Sequence, residues 1–278
     1  MSSPRSLSDL GLYSWLTLAA LACSPTDGAL DGSSTASPAH VSQSQTALRP
    51  PRLADDILLV HGAWADGSCW SSVIEALQRD GYTVRALQLR EQSLADDAAL
   101  VRHAIDTLER PVVVVGHSYG GFVSSEASAG ADNVVGLVFI AAFAPDQGES
   151  LAALTQPYPT PAIANLQIDD QGNTIIEPSA FVRHFASDLP AREARVLAAV
   201  QHPTARSILA AAAGEPGWRT IPSYFQVSTD DEVIAPQLQR FFAKRMQAQT
   251  IELRASHVSL ISKPRQVANL IQRAASGR

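Results

Sequence analysis

Residues 111–121 read PVVVVGHSYGG, and this stretch decides the fold. Four consecutive valines between Pro111 and Gly116 make an apolar β-branched run of strand length. That is the pattern of a strand buried on both faces in a parallel sheet. The next residues, Gly116-His117-Ser118-Tyr119-Gly120, fit G-x-S-x-G. There the serine sits on a tight, strained strand-to-helix turn, so its neighbours two positions away must be small. A helix expected to run to about Gly130 follows, and its positive N-terminal end favours an oxyanion developing at the serine. A glycine-rich turn can also hold a phosphate, but this one has no P-loop lysine and its spacing does not fit G-x-G-x-x-G.

Outward from this turn, strand and helix patterns alternate. Strands are expected at 57–60, 82–89, 133–142, 223–227 and 250–254, and helices at 69–79, 93–108, 236–246 and 264–275. In 69–79, Trp70, Val73, Ile74 and Leu77 share one side, and Ser93 is placed to cap the second helix. Such alternation implies an α/β fold, a mostly parallel sheet flanked by helices. Between about 145 and 220 the alternation breaks. Pro157, Pro159 and Pro161 crowd together, 166–177 reads as a hairpin about Asp170-Gln171-Gly172-Asn173, and three helices are expected near 178–188, 191–201 and 204–213. This block reads as an inserted, mainly helical cap over the carboxyl end of the sheet, where open α/β sheets bind ligands.

A nucleophilic serine needs an activating base. On this type of sheet the chain order is serine, acid, histidine. Two histidines follow the first expected cap helix. His202 precedes Pro203 in a cap loop, whereas His257 lies just after the last strand, at the sheet edge. The acid belongs after the preceding strand, where Asp230, Asp231 and Glu232 compete. Asp146, after the 133–142 strand, is an alternative, although Ala144-Pro145-Asp146-Gln147-Gly148 also reads as a turn. An oxyanion hole needs two preorganised N–H donors. Tyr119, directly after the nucleophile, supplies one, and Ala63 in His61-Gly62-Ala63-Trp64 is chosen for the other.

The remaining composition narrows the function classes. The chain has 278 residues, 46% hydrophobic and 17% charged, enough for one sizeable core. A net charge of -6 and the lack of any dense Lys/Arg cluster speak against nucleic acid as a partner. Two cysteines, Cys23 and Cys69, form no disulfide framework, and the scattered histidines show no metal-ligand spacing. Residues 10–22, LGLYSWLTLAALA, have the length of a signal-peptide core and end in Ala20-Leu21-Ala22. With Cys23 directly after, this resembles a bacterial lipobox, which implies acylation of Cys23 and attachment to a membrane. Residues 1–22 are therefore expected to be an export signal and 23–54 a flexible tether rich in Ser, Thr, Ala, Gly and Pro. The folded domain follows at 55–278. The expected location is the bacterial envelope, periplasmic or lipid-anchored, or else secreted.

Four segments together carry a resemblance: ILLVHGAWADGSCW at 57–70, PVVVVGHSYGG at 111–121, FIAAFAPDQGES at 139–150 and RASHVSLISKP at 254–264. They resemble α/β-hydrolases of the bacterial esterase and hydroxynitrile-lyase-like group, which includes plant methyl-ester hydrolases and pyrethroid-type esterases. The likeness covers about 57–276. It implies the α/β-hydrolase fold, a small-molecule ester as substrate and no cofactor. Related esterases carry V-x-T-x-D-x-x-I, which here places the catalytic acid on Asp231 and leaves Asp230 in a variable slot. The resemblance thus implies a Ser118–His257–Asp231 triad. It also admits a lyase chemistry, but plant hydroxynitrile lyases carry threonine and lysine where this chain has Gly62 and Val258, and a cyanide leaving group then lacks a stabilising cation. A third reading is a ligand-binding receptor that kept the fold. The apolar cap, with Phe181 and Phe185, suits small to medium apolar esters.

Overall fold

The computed structural model describes residues 52–278. The expected export signal, Cys23 and most of the tether lie outside the described residues. In chain order the strands are β1 (Asp56–Val60), β2 (Thr83–Leu87), β3 (Val112–His117), β4 (Val134–Ile140), β5 (Leu166–Ile168), β6 (Asn173–Ile176), β7 (Thr204–Ala205), β8 (Ser223–Ser228) and β9 (Gln249–Leu253). Six of them form one sheet in the order β2-β1-β3-β4-β8-β9, parallel throughout. The valine run is its centre: β3 is buried at every position. Burying a valine side chain is worth at least about 1.5 kcal/mol, so this strand anchors the core on which the following turn is built.

The core helices are α1 (Ser71–Arg79), α2 (Leu94–Asp106) and α3 (Tyr119–Ser128). The cap adds α4 (Leu151–Thr155), α5 (Pro161–Ala164), α6 (Pro178–Ala180), α7 (Ala191–Ala199) and α8 (Ser207–Ala210), and the chain closes with α9 (Pro236–Arg245), α10 (Ser259–Ser262) and α11 (Pro264–Ser276). Helix α1 packs against α11, and α2 against α3. Ser93 caps α2 as anticipated, its hydroxyl accepting the Asp96 N–H. Part of the segment assigned to the tether belongs to the domain. The Leu53 and Ala54 amides donate to Ala275 O at 2.7 and 3.2 Å, and the Arg52 guanidinium lies 3.7 Å above the Tyr82 ring.

The cap is less helical than its sequence suggests. The expected hairpin forms as β5 and β6, but β7 joins them in a separate three-stranded sheet. The helix expected over 204–213 is therefore a correction: Thr204 and Ala205 are strand, and only Ser207–Ala210 turn helically. Helix propensity favours the alanine run by a few tenths of a kcal/mol per residue. Long-range bonds outweigh it, because Thr204 is buried with its hydroxyl on Glu91 and the Ala205 amide donates to Glu91 O at 2.8 Å. The 178–188 segment is helical but contains a π-type turn at Phe181–Phe185, a form that clusters at functional sites.

Backbone strain marks one edge of the sheet. Among the described residues, five non-glycine residues have φ in the left-handed region. Four of them follow the carboxyl ends of successive strands: Trp64 after β1, Glu91 after β2, Ser118 after β3 and Ala141 after β4. Each such residue costs on the order of 1–3 kcal/mol and persists only where its surroundings compel it.

Candidate active site

Ser118 sits between β3 and α3 with φ 54° and ψ −124°, the strained elbow its motif requires. Three backbone bonds hold it. Its N–H donates to Ile140 O at 3.2 Å, and its carbonyl accepts from Gly121 N at 3.0 Å and Phe143 N at 3.1 Å. The crossing is close enough to exclude side chains. A Cβ at Gly120 would stand 2.4 Å from His61 O and 2.5 Å from Val60 O, and one at Gly62 would stand 2.6 Å from the Ser118 Cβ. The loop after β1 is thereby pressed against the serine.

The three acids that compete after β8 have three different surroundings. Asp230 faces outward toward Arg254, at 3.4 Å. Glu232 meets His184 of the cap at 2.5 Å. Asp231 is buried, and its Oδ2 lies 2.7 Å from Nδ1 of His257, itself fully buried. Its other bonds fix its orientation: Oδ1 accepts the amides of Val233 and Ile234 at 2.8 and 3.0 Å, and Oδ2 also accepts Gln239 Nε2 at 2.8 Å. A carboxylate accepts only, so the proton of His257 resides on Nδ1 and Nε2 presents a lone pair. That Nε2 is buried and has no hydrogen-bond partner among the described residues. The alternative acid, Asp146, is not on the histidine. It pairs with Arg219 at 2.5 Å and accepts its own turn's Gln147 amide at 2.8 Å, the turn role its sequence also allowed.

His117, the last residue of β3 and next to the serine, ties the elbow to the loop that carries His257. Its Nε2 donates to the carbonyl of His257 at 2.9 Å, and the two rings lie 4.7 Å apart. Burial, then the neighbouring His257, hold it well below the usual imidazole range, so it stays neutral. Phe185, from the π-type turn, packs edge-on to the His257 ring at 4.9 Å. His117 and Gln239 were not picked out as site residues from the sequence. Gln239 had a signal: it lies on the buried face of α9 with Leu238, Phe242 and Ala243.

A cavity of about 400 Å³ is lined by Ala63, Ser118 and Tyr119 together with cap residues such as Leu151, Ile163 and Ile208. Tyr119 opens α3, so its amide lacks an intrahelical acceptor. In the facing loop the Trp64 amide is engaged by Glu91 and Thr204, at 3.2 and 3.1 Å. The Ala63 amide has no hydrogen bond among the described residues. The cavity lining is mainly apolar, with Arg206 as its one charged residue.

A parallel sheet with a serine elbow after its central strand and cap residues lining the adjoining cavity is the architecture of α/β hydrolases. The chain belongs to the alpha/beta hydrolase family, whose model matches residues 57–270. A carbendazim hydrolyzing esterase of Nocardioides sp. is 34% identical over 112 residues, 36% of this chain and about half (46%) of that protein. Methylesterase 8 of Arabidopsis thaliana is 24% identical over 233 residues, covering 74% of this chain and 84% of that one. The solved structure of a pyrethroid hydrolase from Sphingobium faniae aligns with a TM-score of 0.68 and 23% identity, over 79% of this chain and 96% of that chain. At that identity the likeness shows the shared fold.

Proposed function

We propose that this chain hydrolyses carboxylic esters through Ser118, His257 and Asp231. One observation carries the reading: a buried imidazole held by a buried carboxylate at 2.7 Å, its other nitrogen unpartnered among the described residues, in a loop bonded to the residue beside a strained serine. His257 Nε2 takes the Ser118 proton as Oγ attacks the ester carbonyl, and Asp231 stabilises the resulting imidazolium. The amides of Ala63 and Tyr119 face the tetrahedral oxyanion. Collapse expels the alkoxide, which leaves as the alcohol with the proton from His257. Water, deprotonated by the same nitrogen, then attacks the acyl-enzyme, and a second collapse releases the acid and restores Ser118. No cofactor enters these steps. The esterase names of the relatives support the same class of reaction.

The cavity sets the substrate size. About 400 Å³ of mainly apolar lining holds a short to medium acyl or alcohol chain. On p-nitrophenyl esters from acetate to palmitate, kcat/KM should peak at short to medium chains, and mandelonitrile should not be cleaved. A rate that keeps climbing to palmitate, with activation by emulsified triglyceride, would refute the cavity as the specificity element. Mandelonitrile cleavage faster than ester hydrolysis would place the chain with the lyases instead.

A further inference from the structure

The chemistry above makes no use of Glu91, yet this residue is built into the site at considerable cost. Its side chain is completely buried and its φ is 54°. A buried carboxylate is tolerated only when well bonded, and a left-handed non-glycine residue only when held. Glu91 is held through one carboxylate oxygen and both of its backbone groups. Its Oε2 accepts the Trp64 amide at 3.2 Å and the Thr204 hydroxyl. Its Oε1 lies 3.3 Å from His61 Nδ1 but accepts no hydrogen bond among the described residues, because that nitrogen is 2.9 Å from Gly62 O. Its amide donates to Asp97 Oδ1 at 3.2 Å, and its carbonyl accepts the Ala205 amide at 2.8 Å.

The nearest histidine supplies no counter-charge to this side chain. The Leu89 amide donates to Nε2 of His61 at 2.9 Å, so that nitrogen carries no proton and the imidazole is neutral. The available cation comes from the cap: His202 Nδ1 stands 3.6 Å from Oε2, and Glu91 raises its affinity for a proton. Thr204 and His202 both belong to the cap, as does Thr174, whose carbonyl and hydroxyl receive the Trp64 indole N–H at 3.1 and 3.2 Å.

These bonds converge on one peptide unit. The Trp64 nitrogen is bonded directly to the carbonyl carbon of Ala63, so fixing that N–H fixes the plane adjoining the Ala63 amide. The other oxyanion donor is tied to the same loop. The Tyr119 hydroxyl donates to Asp97 Oδ2 at 3.0 Å, and the opposite oxygen of Asp97 holds the Arg90 and Glu91 amides. We propose that Glu91 is a positioning residue for the oxyanion hole, and that through Thr204 it makes the geometry of the hole depend on the seating of the cap. The proposal rests on the ester-hydrolase reading, with Ala63 and Tyr119 as donors.

Substitution by glutamine tests it. Glutamine keeps the shape but loses the charge and one acceptor: its NH₂ either meets the Trp64 amide and the Thr204 hydroxyl, donor against donor, or takes the place of Oε1, buried without an acceptor beside the Nδ1 that His61 gives to Gly62 O. The assay uses a short p-nitrophenyl ester, an alkyl boronic acid that forms a tetrahedral adduct at the serine, and the melting temperature. Removing an oxyanion donor outright costs about 10²–10³-fold in kcat. Misaligning one through Glu91→Gln should cost about 10–100-fold in kcat, with KM within about threefold. Boronic acid affinity should fall in parallel. Thr204→Val, which removes the cap hydroxyl and keeps the volume, should change the same quantities in the same direction by a smaller factor, and it decides the matter if Glu91→Gln does not fold. Wild-type kcat and boronic acid affinity in a folded variant, or a raised KM at unchanged kcat, would overturn the positioning role. Full turnover in Ser118→Ala would instead overturn the underlying reading.

Discussion

Ser118→Ala is expected to lower kcat by about 10⁴-fold or more, and His257→Ala to do nearly the same, with the double variant little worse than either. The reason is that neither residue works alone. Without the hydroxyl there is no acyl-enzyme, and without the imidazole the hydroxyl is not deprotonated at neutral pH. The folded state should tolerate the first change well, since Ser118 is held by its backbone bonds to Ile140, Gly121 and Phe143 and not by its hydroxyl. Turnover of a p-nitrophenyl ester, with a melting curve beside it, checks both statements. Retention of more than a tenth of wild-type turnover by Ser118→Ala contradicts the assignment.

Asp231→Asn is expected to cost about 10³–10⁴-fold in kcat, and the surroundings of this carboxylate say why. Its four partners are all N–H donors: the amides of Val233 and Ile234 on Oδ1, and Gln239 Nε2 and His257 Nδ1 on Oδ2. An asparagine offers one oxygen and one NH₂. The two backbone amides cannot reverse their polarity, so the oxygen stays with them and the NH₂ faces the histidine. His257 must then present a bare Nδ1 and carry its proton on Nε2, the tautomer that cannot accept from Ser118. Asp230→Asn, on an exposed side chain facing Arg254, should leave kcat within about twofold, as surface positions usually do. Asp146→Asn should act on the turn it shares with Arg219 and little on turnover. If Asp146→Asn proves the more damaging change, the acid lies after β4 and the account of His257 is wrong.

How much of this was legible in the sequence depends on how local each signal was. The valine run, the elbow glycines and the serine lie within eleven residues, and the parallel sheet around them follows from alternating strand and helix patterns, whereas the strand order does not. The positions after β8 and β9 were legible because chain order limits where an acid and a histidine can stand. The choice among three neighbouring acids came only from the resemblance, whose V-x-T-x-D-x-x-I pattern points to Asp231. The folded loop turns Asp231 inward, Asp230 to solvent and Glu232 to the cap. Glu91 was invisible, because in Arg90-Glu91-Gln92-Ser93 a glutamate reads as a solvated turn residue, and its burial depends on Thr204, which is 113 positions away. The same long-range contact makes strand β7 of Thr204 and Ala205, the start of a segment read as helix. Residues whose partners are distant in sequence carry no local pattern to read.

The most direct measurement of the central claim is covalent labelling with a fluorophosphonate, read by peptide mass. A single adduct is expected, on the peptide and residue of Ser118, absent from Ser118→Ala and formed far more slowly in His257→Ala. An adduct on another serine, or hydrolysis of the ester substrate at full rate after no labelling at all, would contradict it.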